Sequence, residues 1–195
     1  MTTAPAGYRA GDPALPTSPV TLGDLDALKA TVLWSDDDAP ALRRAGELLA
    51  PQVEEILDLW YGFVGSHPHL VATFAGADGA PNGDYLAAVR ARFARWIVDV
   101  CAGPYDQAWL DWQEEIARRH TRVGKNQTDG VDSTSAEVPM RYLVAFVVPL
   151  TVTIKGFLAG AAAPGDDVEA MHAAWFKAIT LTATLWARPY AGSSW

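Results

Sequence analysis

The stretch YDQAWLDWQEEIARRHTR, residues 105–122, decides how this chain is read. Counting back in fours from His120 gives Ile116 and Trp112, with Trp109 three further back, so these side chains share one helix face. Asp111, Glu114, Glu115, Arg118, Arg119 and Arg122 fall on the other faces. The imidazole therefore lies on the apolar stripe, although its neighbours in sequence are charged. Two readings remain open. His120 is a core histidine bonded to a backbone carbonyl, or it is a metal ligand.

Working outward, the 195 residues suffice for one domain with one substantial core. Half of them are apolar and eight are Trp. A net charge of −8 excludes a nucleic-acid surface, which needs clustered Lys and Arg, and disfavours an anionic membrane face. The single cysteine, Cys101, forms no internal disulfide and sits between Val100 and Ala102 with no activating charge. It reads as a small buried hydrophobe. The leading stretch, residues 1–20, is rich in Pro and Gly and lacks the apolar core of a signal peptide. The apolar run YLVAFVVPLTVTI, residues 142–154, reads as too short to span a bilayer. A soluble, cytoplasmic protein is expected.

Helical periodicity dominates the rest. TLGDLDALKATVLW places Leu22, Leu25, Leu28, Val32 and Leu33 at helical spacing, opened by a capping box of Thr21 and Asp24. Ser35 and the acidic cluster after it stand where a helix start wants acceptors and negative charge. The same period continues through DLWYGFVGSHPHL, where Ile56, Trp60 and Val64 share a face and Tyr61 flanks it. GADGAPNG is a loop. The next helix stacks Leu86, Val89, Phe93, Trp96, Ile97 and Val100 on one stripe and ends at Pro104. The 142–154 segment reads as helix kinked at Pro149, and a last long helix follows. The fold class is all-α.

The other histidines are weak ligand candidates. His67 and His69 flank Pro68 in a turn, and His172 lies among Ala and Met on the last helix. No HExxH, CxxC or Glu-x-x-His pattern occurs. A metal held by His120 would thus have it as sole protein ligand, which points to haem. Trp60, Phe63, Val64, Phe93, Ile97 and Ile116 would wall an apolar cavity, with Tyr61 a hydrogen-bond donor inside it.

At these residues the chain resembles the protoglobins, the single-domain relatives of the haem domain of globin-coupled sensors. The matching phrases run in order over nearly the whole chain: GY near the start, QVEEILDLWYGFVGSHPHL, YLAAVRARFARWI, YDQAWLDWQEEI, RRH, RYLVAFVVPLT, AWFKA and a late PY. The resemblance implies a globin fold with an extra N-terminal helix, residues 21–195, under an extension, residues 1–20, that covers the haem. It implies haem b with His120 as axial iron ligand and no catalytic residues. Trp60 and Tyr61 match the distal pair, Phe93 and Phe74 the aromatic walls. Val89 stands where many other globins place a distal histidine. Val64, Leu86, Ile97, Ile116, Phe146 and Leu150 match haem-pocket positions, and Arg92 a partner for a haem propionate. Diatomic gases (O₂, CO, NO) are the implied ligands at a pentacoordinate iron, and a homodimer through the last two long helices is the implied assembly. The alternatives are a haem enzyme of peroxidase-like, NO-dioxygenase or engineered carbene- or nitrene-transfer type, or a gas sensor acting through a separate partner. No acid–base pair for peroxide cleavage is visible in the sequence. Three departures stand out: His120-Thr121 replaces a doubled histidine, Val148 replaces a common aromatic, and GVDSTSAEVPM diverges.

Overall fold

The computed structural model describes residues 4–131, 134–192 and 195. Residues 1–3 of the leading stretch, 132–133 of the divergent segment and 193–194 lie outside the described residues. Among the described residues there are nine α-helices and no strand.

Helix α1 (Leu22–Thr31) opens on the expected capping box: Thr21 Oγ1 accepts from the Asp24 N–H, and the Asp24 carboxylate accepts from the Thr21 N–H. The period that runs on through Gln52 is broken in the structure. Helix α2 (Asp38–Leu49) passes through a 3₁₀ turn, Ala50–Gln52, into α3 (Val53–Gly65), because Pro51 has no N–H to give and crowds the residue before it. Asp38 serves the tertiary structure as well as the helix start. Its carboxylate accepts from Ser35 and from the Lys177 ammonium of the last helix at 2.8–2.9 Å.

A single turn, α4 (Pro68–Val71), and a loop lead to α5 (Gly83–Ala102), capped by Asn82 Oδ1 accepting from the Tyr85 N–H. Helix α6 (Gln107–His120) is capped by Asp106 and ends on the histidine itself. The apolar segment forms α7 (Met140–Ala145) and α8 (Val147–Ala161), and α9 (Val168–Ala191) closes the chain. The expected kink falls at Phe146 rather than at Pro149. Proline 149 cannot donate to the carbonyl of Ala145, so the helix parts one turn upstream, and Pro149 sits in the first turn of α8 where its ring is tolerated.

The reading of this segment as too short to cross a bilayer is corrected. Residues Met140–Ala161, helical on both sides of the break at Phe146, form a 22-residue span holding an 18-residue window of mean hydropathy 1.9, enough by length and composition alone. The inner side of the span, Leu143, Ile154 and Leu158, is buried in the protein; Met140, Val144, Val148 and Val152, spaced by four, are exposed.

The core wraps around α9, whose Met171, Trp175, Ala178 and Ile179 are buried against Leu42, Leu49, Leu57, Ile97, Ile154 and Leu158. Helices α2 and α5 cross almost backbone to backbone: a Cβ at Gly46 would lie 2.5 Å from the Cβ of Cys101. Burial pushes the Cys101 thiol up to about 12, so it behaves as the inert small hydrophobe expected. This crossing fixes α5, which then turns Val89, Arg92, Phe93 and Trp96 toward a cavity bounded also by α3, α6, α8 and α9.

Candidate functional site

That cavity has a volume of about 230 Å³, far above the roughly 10–15 Å³ that one water needs. Its lining is mostly aromatic and aliphatic, the surface that an apolar occupant would cover. The cavity is a place built to be filled. The residues Trp60, Tyr61, Val64, Phe74, Val89, Arg92, Phe93, Ile116, His120, Phe146 and Leu150, expected together, all line it. Three expected residues do not. Ile97 is turned into the α2–α5–α9 core, Leu86 lies outside the wall, and Phe63 is 36% exposed. On α5 the packing against α2 and α9 takes Ile97 into the core and leaves Trp96 in the cavity wall, while Phe63 lies on the outer side of α3.

On the α6 side, His120 is fixed from three directions. Its Nδ1–H donates to the Ile116 carbonyl at 2.8 Å, since a carbonyl only accepts. Its ring stacks on Trp186 of α9, with centroids 5.0 Å apart and planes 29° apart. Trp186 is in turn held by its Nε1–H donating to the buried Gln113 at 2.9 Å. The backbone carbonyl of His120 accepts from the Val138 N–H at 2.8 Å. The Tyr190 hydroxyl, from the late PY, reaches the same carbonyl at 2.7 Å and that of Val138 at 2.6 Å. Burial drives the imidazole down to about 4; the Ile116 carbonyl opposes this, and the Lys125 and Arg119 charges add to it. The ring is therefore neutral at physiological pH, with Nδ1 committed and the Nε2 lone pair available. Thr121 closes the helix by donating its hydroxyl to the Arg118 carbonyl at 2.8 Å.

Across α3 and α5, Trp60 meets Phe93 and Phe146 edge-to-face, with centroids 5.8 and 4.9 Å apart. Tyr61 stands beside Phe74 at 6.5 Å. Burial pushes its phenol up to about 12, with Arg90 and Arg92 opposing, so the O–H persists. Among the described residues the Tyr61 hydroxyl makes no protein hydrogen bond.

The third wall is charged. Arg92 binds Asp129 through two hydrogen bonds of 2.9 and 2.6 Å and donates to the Ala6 carbonyl. Arg119, expected to turn away, lines the cavity: its guanidinium lies over the Trp112 ring at 5.1 Å and donates to Glu115 and to the Gly7 carbonyl. A helical wheel fixes a Cβ, and a long arginine can still fold back from it. Two carbonyls of the extension are thus tied to two cavity arginines, and Tyr8 joins the wall. Gly7 has φ +76°, and a Cβ there would meet Thr128 at 2.5 Å, so the GY pair needs glycine. Tyr85, a second buried phenol, was also not foreseen. It sits one turn before the recognised Val89 and faces the same cavity.

One neutral inward imidazole, apolar aromatic walls, one spare donor and a cationic edge fit a haem, an apolar disc with two carboxylates, and define the site of a globin-type protein. The Protoglobin family model matches residues 22–194. The chain belongs to that family, and its helical array is a globin fold; it is a haem-binding, gas-binding protein. No curated protein matches it.

Proposed function

We propose that the chain holds haem b with His120 as the only protein ligand and reversibly binds O₂, CO or NO at a pentacoordinate iron. The observation that carries this reading is the His120 Nε2 lone pair, presented to a cavity by a ring whose other nitrogen is already bonded. Haem, when bound, supplies an iron with one coordination position left for a gas. A non-covalent haem is supported by the lone, buried Cys101, which offers no two-cysteine attachment.

The side chains divide the remaining work. Trp60, Phe93, Phe74 and Val89 keep water from the ligand side. Tyr61 offers a phenol O–H to a ligand that takes on negative charge, and so favours O₂ over CO. Val64, Ile116, Phe146 and Leu150 grip the disc. Arg92 and Arg119 face the haem carboxylates, with Asp129 and the extension holding them in place. Residues 1–20 act as the cover. The exposed stripe Met140–Val144–Val148–Val152, with Phe176 on α9, supports a homodimer through α8 and α9. A cytoplasmic location agrees with the unpaired cysteine.

A second reading, peroxide-directed haem chemistry, gains one observation. Asp129 and Arg92 place a carboxylate and a guanidinium together in the cavity wall, bonded to one another. Peroxide turnover unchanged by Asp129→Asn would remove it. The gas-binding reading is tested on reduced, haem-loaded protein: a five-coordinate ferrous spectrum is expected, converting saturably as CO is added. A six-coordinate spectrum that ignores CO would overturn it.

A further inference from the structure

Gln113 is a polar side chain, 2% exposed, on the buried face of α6 that also carries Leu110 and Ala117. A buried amide costs free energy unless it is bonded. Its oxygen accepts from the Trp186 Nε1–H at 2.9 Å, since an indole nitrogen only donates. The chain does not satisfy its indoles as a rule: the nitrogens of Trp96, Trp112 and Trp175 are buried with no partner among the described residues. The indole stacked on His120 is held.

Gln113 and His120 lie two turns apart on α6, about 10 Å along its axis and on one face. Trp186 comes from α9 and bridges them, so the contact starts and ends on the same helix. The bond from His120 Nδ1 to the Ile116 carbonyl fixes one ring atom. Directions at a carbonyl acceptor are broad, so that bond leaves the tilt of the imidazole plane free. A flat neighbour with its centroid 5.0 Å away and its plane at 29° removes that freedom.

We propose that Gln113 and Trp186 are positioning residues for the axial imidazole. Gln113 holds the indole, the indole holds the tilt of the His120 ring, and the pair tunes the affinity for every gas from the His120 side of the cavity. Partners behind a ligand atom orient it and change its donor strength. Because this pair acts on the imidazole and not on the bound gas, it affects O₂ and CO alike, whereas Tyr61 separates them. The inference rests on the gas-binding reading above.

The test uses haem-loaded full chain in the ferrous state, with the iron–imidazole stretch read by resonance Raman beside O₂ and CO affinities. Gln113→Met keeps the volume and loses the acceptor; Trp186→Phe keeps a ring and loses the N–H. Each is expected to shift or broaden the band and to move both gas affinities in the same direction by roughly two- to tenfold. Adding Gln113→Met to Trp186→Phe should change nothing further, since the glutamine acts through the indole. A wild-type band and wild-type affinities in both variants, with only the unfolding midpoint lowered, would overturn the proposal by showing a purely structural bond. Unequal effects on the two gases, or additive effects in the double variant, would overturn it as well. A wild type that takes up haem but shows no iron–imidazole band defeats the gas-binding reading itself, and the proposal with it.

Discussion

His120 and Tyr61 are the two polar side chains that the gas-binding reading relies on, and the protein treats them in opposite ways. His120 is immobilised by a hydrogen bond at Nδ1, a stacked indole and a doubly bonded backbone carbonyl. Tyr61 is confined by aromatic neighbours while its hydroxyl is left without a protein partner. The difference follows from their tasks. A ligand atom must be oriented before the metal arrives, and a stabilising donor must have its proton uncommitted. The supports are unequal in origin too: beside the local bond to Ile116, those of His120 come from α9 and Val138, remote in sequence, while Tyr61 is walled mainly by α3, α5 and the 72–74 turn.

The largest effect should come from breaking the fixed side. His120→Gly is expected to abolish the five-coordinate ferrous spectrum, and free imidazole should restore it; a variant spectrum identical to wild type would show that another group holds the iron. Tyr61→Phe tests the spare side. A hydrogen bond to a charge-bearing acceptor is worth about 1.5–3 kcal/mol, so the O₂ dissociation rate should rise roughly ten- to a hundred-fold, with CO much less affected. Equal changes for both gases would reject the donor role. Tyr190→Phe sharpens the contrast, because it loosens His120 without touching the cavity. About 1–2 kcal/mol of stability should be lost in denaturant unfolding, and an unchanged midpoint would argue that the hydroxyl contacts contribute nothing. The smallest effect is a flat line. Because burial raises the Tyr61 pKa to about 12, its proton stays bound and O₂ dissociation should not vary from about pH 7 to about pH 10. A rise near the ordinary tyrosine value would mean the phenol is solvated.

Much of this was legible in the residues. Spacing alone put His120 in line with Ile116 and Trp112, and resemblance attached roles to Trp60, Tyr61, Phe74 and Phe93, all of which share the cavity. What spacing could not deliver depends on tertiary geometry. Trp186 meets His120 only because α9 crosses α6. Tyr8 and Asp129 reach the wall from segments with no periodicity to read. Arg119 was misplaced because side-chain length defeats a wheel, and Ile97 because two neighbours on one stripe compete for the cavity and packing against α2 and α9 leaves it to Trp96. The parting at Phe146 was displaced from Pro149 for the same kind of reason: proline acts on the turn before it.

The central claim is that the 230 Å³ cavity is a haem site closed by His120. Titrating the purified protein with haem and following the Soret region tests it most directly. A band that saturates at a single haem per chain, distinct from free haem and altered in the His120 variant, is the predicted result. A spectrum indistinguishable from free haem at every ratio would contradict it.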